Sequence, residues 1–152
     1  MKKVCLVASS GGHWEELMCL NDLAKKYDTF YVTEAGGQAE DSNLLHIYTF
    51  PQINRYEKGF AKHFIQLFGR ARKVISLEKP DVIITTGALI AFPFCILGKL
   101  SGSKIVYIES FARVKDGSLT GRLIYPFADQ FLVQWKPLLK IYPKAKYVGG
   151  IF

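Results

Sequence analysis

Short apolar runs alternate with longer stretches of helical period along this chain. Val4–Ala8, Thr29–Thr33, Leu45–Tyr48, Val82–Thr85, Ile105–Ile108 and Gln130–Val133 are runs of the kind buried on both faces of a parallel sheet. Between them, Trp14–Lys26, Gly59–Glu78, Leu89–Leu100 and Leu119–Phe127 are long enough to be helices. Strands alternating with helices predict right-handed crossovers and a doubly wound, Rossmann-like α/β sheet. The 152 residues show no internal repeat, linker or low-complexity segment, so one domain over 1–152 is expected.

Composition narrows the class. Hydrophobic residues make up 49% and charged residues 22%, which is globular rather than disordered. The net charge of +7 favours an anionic partner: nucleic acid, an anionic membrane surface or a phosphorylated substrate. Cys5, Cys19 and Cys95 are widely spaced among apolar neighbours and form no CxxC pair, so they are expected to be buried free thiols in a reducing cytoplasm. The longest apolar stretch, Ala88–Leu97, is broken by Pro93 and falls short of the roughly 20 residues that span a bilayer. The apolar start Val4–Ala8 is too short for a signal peptide and runs into Ser9-Ser10-Gly11-Gly12. His13, His46 and His63 are scattered without ligand spacing, so no metal site is expected.

Candidate chemistry gathers in the loops that follow predicted strands, where open parallel sheets bind ligands. Ser9-Ser10-Gly11-Gly12 lies between the first strand and first helix, where glycine admits a close ligand and unpaired N–H groups suit phosphate. The other reading is a tight turn with Ser10 as the helix cap. His13, opening the helix, is either a base for a sugar hydroxyl or a residue that only contacts phosphate or shapes the turn. Thr86-Gly87 follows the fourth strand; Glu109, Ser110 and Arg113 follow the fifth. Glu109 is suited to sugar hydroxyls and Arg113 to a diphosphate, or else Glu109 pairs with Arg113 or Arg122 to order the loop. GxGxxG is absent, which weakens a dinucleotide reading, although Glu34 ends the second strand where a ribose-binding acid belongs.

The predicted helix over 59–78 is amphipathic. Phe60, Phe64, Leu67, Phe68, Ala71 and Ile75 recur on one face, beside Lys58, Lys62, Arg70 and Lys73. Such a helix either lies on an anionic membrane or packs its apolar face on the sheet. No aromatic-and-basic stacking surface for nucleic acid is identifiable.

Two blocks carry a family likeness: Ser9–His13, and Tyr107–Val114 continuing through Ser118–Tyr125, Ala128–Trp135, Tyr142–Tyr147 and Gly149–Phe152. They resemble the membrane-anchoring subunit of the eukaryotic two-part UDP-GlcNAc transferase of the dolichol pathway. They are also similar to its bacterial counterparts in capsule and exopolysaccharide synthesis, the PssD/CpsF type. The resemblance implies the amino-terminal, acceptor-side half of a GT-B glycosyltransferase, similar to the acceptor domain of MurG. A small catalytic subunit would supply the other half and hold the UDP-sugar donor, with no cofactor on this chain. Ser9, Ser10, Gly11, Gly12 and His13 would then face the diphosphate of a lipid-linked acceptor, with Thr86, Gly87, Glu109, Ser110 and Arg113 lining the cleft. Gln134, Trp135, Tyr147, Gly149, Gly150, Ile151 and Phe152 would meet the partner. The eukaryotic subunit carries an amino-terminal membrane helix, whereas this sequence starts at its first strand. Attachment to the inner face of the cytoplasmic membrane would rest instead on Phe60, Phe64, Phe68, Lys62, Arg70 and Lys73, on Ala88–Leu97, on the acceptor lipid or on the partner. The competing classes are a non-catalytic scaffold for the partner and a dinucleotide- or nucleic-acid-binding domain.

Overall fold

The computed structural model describes residues 1–37, 43–44 and 46–151. Seven parallel strands form one sheet, β1 (Lys3–Ala8), β2 (Asp28–Glu34), β3 (Ile47–Phe50), β4 (Val82–Gly87), β5 (Lys104–Ile108), β6 (Gln130–Val133) and β7 (Lys146–Tyr147), in the order β3-β2-β1-β4-β5-β6-β7. The helices are α1 (Gly12–Met18), α2 (Phe60–Glu78), α3 (Ala91–Leu100) and α4 (Leu119–Ile124). This is the expected doubly wound, Rossmann-like sheet.

Strand β1 shows why the runs are continuous rather than alternating. Its successive side chains leave on opposite faces, and both faces are covered. Cys5 and Val7 join the larger core beneath α2 and α3, while Val4, Leu6 and Ala8 pack with Trp14, Leu17 and Tyr31 on the other side.

Several boundaries differ from expectation for local reasons. The first helix stops at Met18, and a 3₁₀ turn at Asn21–Lys25 follows, because Cys19 and Leu20 already donate to carbonyls three residues back. Asn21 is drawn off by the Tyr31 hydroxyl instead. Cys19 therefore sits exposed at the helix end, correcting the expectation of three buried thiols; only Cys5 and Cys95 are buried, and burial pushes both thiols up. The third strand lies at Ile47–Phe50, later than expected, because Phe50 is the residue that enters the core and meets Phe94 edge-on at 5.6 Å. Leu45, which began the predicted strand, lies outside the described residues. Pro93 is accommodated in the first turn of α3, where an N–H would have no helical partner. The last helix closes at Ile124, short of Phe127, with Pro126 beyond it. The two-residue β7 was too short for any periodicity to reveal.

The aromatic face of α2 divides in two. Leu67, Ala71, Val74 and Ile75 face the sheet. Phe60, Phe64 and Phe68 instead form a half-buried ladder, with centroids 5.4 and 5.2 Å apart, that meets Phe92 of α3. Among the described residues, no helix is long and apolar enough to cross a membrane.

Candidate active site

The order of strands reverses between β1 and β4, and a register shift at Val7/Ala8 brings Ala8 opposite Gly87 there. Loops leaving neighbouring strands in opposite directions open a crevice at such a point. The residues after β1 and β4 meet in it. His13 Nδ1 lies 2.9 Å from the Thr86 carbonyl, and Thr86 Oγ1 donates to the His13 carbonyl at 2.6 Å. A carbonyl can only accept, so Nδ1 carries the ring proton and Nε2 of the neutral ring keeps its lone pair.

Gly87 makes this closeness possible. Its φ is +115°, and a Cβ placed there would stand 2.7 Å from the Tyr107 hydroxyl and 3.5 Å from His13 Cε1. Ala88 follows with φ +72°, an unusual conformation for a residue with a side chain.

Beside the pair is a cavity of about 480 Å³, within the range of small-molecule sites. His13, Ser110 and Arg113 line it, together with Ser118 and Leu119 from the start of α4 and Asn54, Arg55 and Tyr56 from the loop after β3. Reading of the sequence missed Arg55; its position just beyond a strand's carboxyl end was the available signal.

The loop after β5 is held by two buried carboxylates. Glu16, on the inner face of α1, accepts from Ser110 Oγ at 2.9 Å, from the Phe111 N–H at 3.0 Å and from Gln134 Nε2 at 3.1 Å. Glu109 was expected at the cleft surface, but it is fully buried and accepts from Ser118 Oγ at 2.7 Å, Tyr142 Oη at 2.8 Å and the Ser118 N–H at 3.0 Å. It makes no ion pair with Arg113 or Arg122 among the described residues. Its carboxylate sets the loop and the α4 cap rather than meeting a ligand. Burial, and then Glu109 beside it, raises the Tyr142 hydroxyl well above its ordinary range. Gly121 of α4 lies so close to Glu109 that a Cβ would collide with the carboxylate.

The Ser9–Gly12 turn is placed differently from a free phosphate loop. Ser10 does not cap α1; Gly11 occupies that position without a side-chain bond. Ser10 Oγ donates to Glu34 at 3.4 Å and takes a bond of the same length from Gln52. Burial raises the Glu34 carboxyl from its ordinary range, against the opposing pull of bonds from Ser10. Ser9 is buried, while Gly11 and Gly12 are open to solvent.

The segment expected to meet a partner is mixed. Gln134 is buried, donating to Glu16 and to the Glu109 carbonyl, so its side chain is internal and correction of that expectation follows from these bonds. Its Oε1 in turn accepts from the Ile151 N–H at 3.0 Å, fastening the tail. Trp135 donates to the Phe111 carbonyl and packs on that ring, and Gly150 passes over the same ring. Tyr147 is 46% exposed on the edge strand. Phe152 lies outside the described residues. Lys62, Arg70 and Lys73 are exposed, but Arg70 turns back, its guanidinium 4.5 Å from the Phe50 ring centre.

MurG of Acinetobacter baumannii is similar in structure, with a TM-score of 0.78 over 98% of this chain at 16% identity; this chain spans 45% of it. A UDP-N-acetylglucosamine 2-epimerase from Rickettsia bellii is similar to the same degree, with a TM-score of 0.76, 16% identity, 99% of this chain and 45% of the other. Likeness at this identity shows the fold alone, and these relatives carry different names on one fold. In sequence, the human UDP-N-acetylglucosamine transferase subunit ALG14 is 28% identical over 97% of this chain and 82% of its own length. Residues 58–151 match the family described as "Oligosaccharide biosynthesis protein Alg14 like". That segment holds α2, Thr86 and Gly87, the carboxylate-held loop around Ser110 and the tail fastened by Gln134, more than half of the chain, and so the chain belongs to the Alg14-like family of oligosaccharide biosynthesis proteins.

Proposed function

We propose that this chain is the acceptor-side subunit of a two-component glycosyltransferase that moves a sugar, GlcNAc in the first instance, from a UDP donor to a lipid-diphosphate-linked acceptor. The single observation that carries the reading is His13, tautomerically fixed by Thr86 at the rim of a cavity that also holds Ser110 and Arg113. A base with an available lone pair beside a cation suits removal of a hydroxyl proton next to an anionic group. Family membership supports the transferase setting.

In this reading His13 Nε2 takes the proton of the attacking acceptor hydroxyl while the sugar–phosphate bond of the donor breaks. The partner subunit holds the UDP and stabilises its departing charge. Gly149, Gly150, Ile151 and Trp135 form the partner-facing surface. The half-exposed ladder Phe60–Phe64–Phe68, flanked by Lys62 and Lys73, lies against the inner face of the membrane, in a capsule, exopolysaccharide or lipid-linked oligosaccharide pathway. No cofactor is held by this chain.

Co-expression with the small partner, followed by assay of membranes for transfer from UDP-GlcNAc to lipid-linked acceptor, tests the proposal. Activity should require both chains and be lost in His13→Ala with the complex still assembled. Full transfer by the partner alone, or an unimpaired His13→Ala complex, would reduce this chain to a scaffold.

A further inference from the structure

We infer that Arg55 and Arg113 are two arms of one diphosphate clamp seated across His13, which places the anion away from the Ser9–Gly12 turn. The inference rests on the acceptor-side reading above and assigns that acceptor's charged group to particular side chains.

Arg55 arrives from the loop after β3 and Arg113 from the loop after β5, yet both line the same cavity of about 480 Å³. They come from opposite sides of the switch point. The two serine hydroxyls that share the cavity are already committed, Ser110 Oγ to Glu16 and Ser118 Oγ to Glu109. Neither guanidinium forms an ion pair among the described residues. Arg55 stands 4.9 Å from the centre of the Tyr56 ring, a contact that steadies the group without neutralising it. Two uncompensated cations facing one concavity repel each other, and a doubly charged anion between them relieves that repulsion. Their planar forks match phosphate oxygens pairwise.

The glycine turn is the poorer place. Glu34 accepts the Ser10 hydroxyl and the Ser10 backbone N–H, which puts an acidic group beside the turn and removes one of its donors. Helix α1 is only seven residues long, so its dipole adds little.

Titration of inorganic pyrophosphate into the full-length chain at low ionic strength, followed by calorimetry, tests the clamp. Arg55→Ala and Arg113→Ala should each weaken binding by about tenfold or more, the scale of one lost charge-assisted pair. Lys144→Ala, which removes an equal charge from an exposed site elsewhere, should bind as the wild type does. Thermal melts of both arginine variants, which alter exposed side chains, should match the wild type. Wild-type protein that does not bind pyrophosphate, or arginine variants indistinguishable from Lys144→Ala, would overturn the clamp. The transfer assay separates this outcome from failure of the acceptor-side reading. If Arg55→Ala transfers at the full rate while His13→Ala does not, the clamp is wrong and the reading stands. If pyrophosphate binding follows the arginines but the wild-type complex transfers nothing, the clamp stands and the reading falls.

Discussion

His13 and Thr86 exchange two hydrogen bonds across the switch point of the sheet, side chain to carbonyl in each direction, at 2.9 and 2.6 Å. The exchange fixes both the tilt and the tautomer of the imidazole. In the co-expressed complex, His13→Ala should lower kcat by about 10²–10⁴, the usual contribution of a positioned base. Thr86→Val removes one bond but leaves the carbonyl that sets the tautomer, so it should cost only about tenfold, mainly in kcat, through looser positioning. Equal losses in the two variants would mean that the pair is a structural clasp with no proton to move.

Gly87→Ala should disable the site, because the new Cβ meets the Tyr107 hydroxyl and crowds the His13 ring at a φ of +115°. A destabilisation of about 2–3 kcal/mol in urea denaturation is expected from strain and overpacking together. Adding Tyr107→Phe clears the nearest atom and should recover part of the stability. A double variant no better than the single would assign the whole cost to the backbone angle.

The buried carboxylate of Glu109 makes a different prediction. Glu109→Gln turns an amide N–H₂ towards Ser118 and Tyr142 donors, and should cost about 3 kcal/mol or more. Tyr142→Phe removes one donor and should cost about 1–2 kcal/mol. Denaturant midpoints at constant m-value measure both, and a Glu109→Gln variant as stable as wild type would show that these bonds contribute nothing net.

Acid sensitivity should arise at Glu78. Burial alone would raise its carboxyl, but bonds from Tyr48, Lys3 and His46 outweigh burial and hold it below the ordinary range. A depressed folded value means stability that is complete above the unfolded value, about 4.3, and lost as pH falls through the lower folded value. Melting temperature should therefore drop below about pH 4.3, where an ordinary carboxyl begins to take up its proton. In Glu78→Gln the pH 7 value should be lower and the acid decline shallower. An unchanged acid decline would locate the sensitivity elsewhere.

The sheet was largely legible because strands covered on both faces leave continuous apolar runs, as Val4–Ala8 and Ile105–Ile108 do. The loops after β1, β4 and β5 were legible from their place at strand ends. Side-chain direction was not. Glu109 and Gln134 look like cleft and interface residues in one dimension, but their destinations depend on Tyr142 and Glu16, 33 and 118 positions away. The position of Arg55 beyond the carboxyl end of β3 marks it as a cleft candidate, but only the crossing of the loops shows that it shares a cavity with His13. The end of α1 at Met18 comes from Cys19 and Leu20 donating to carbonyls three residues back, a tightening that apolar periodicity does not mark.

The cluster of Glu78, Lys3 and His46 gathers at the amino ends of the strands, while His13 and Thr86 stand at the carboxyl ends. The six residues of β1 separate the two, a distance on the order of 20 Å. Substitutions that far apart with no shared partner combine additively. Changes that harden the protein against heat or acid at one pole of the sheet can therefore be combined with changes around His13 at the other, each keeping its own effect.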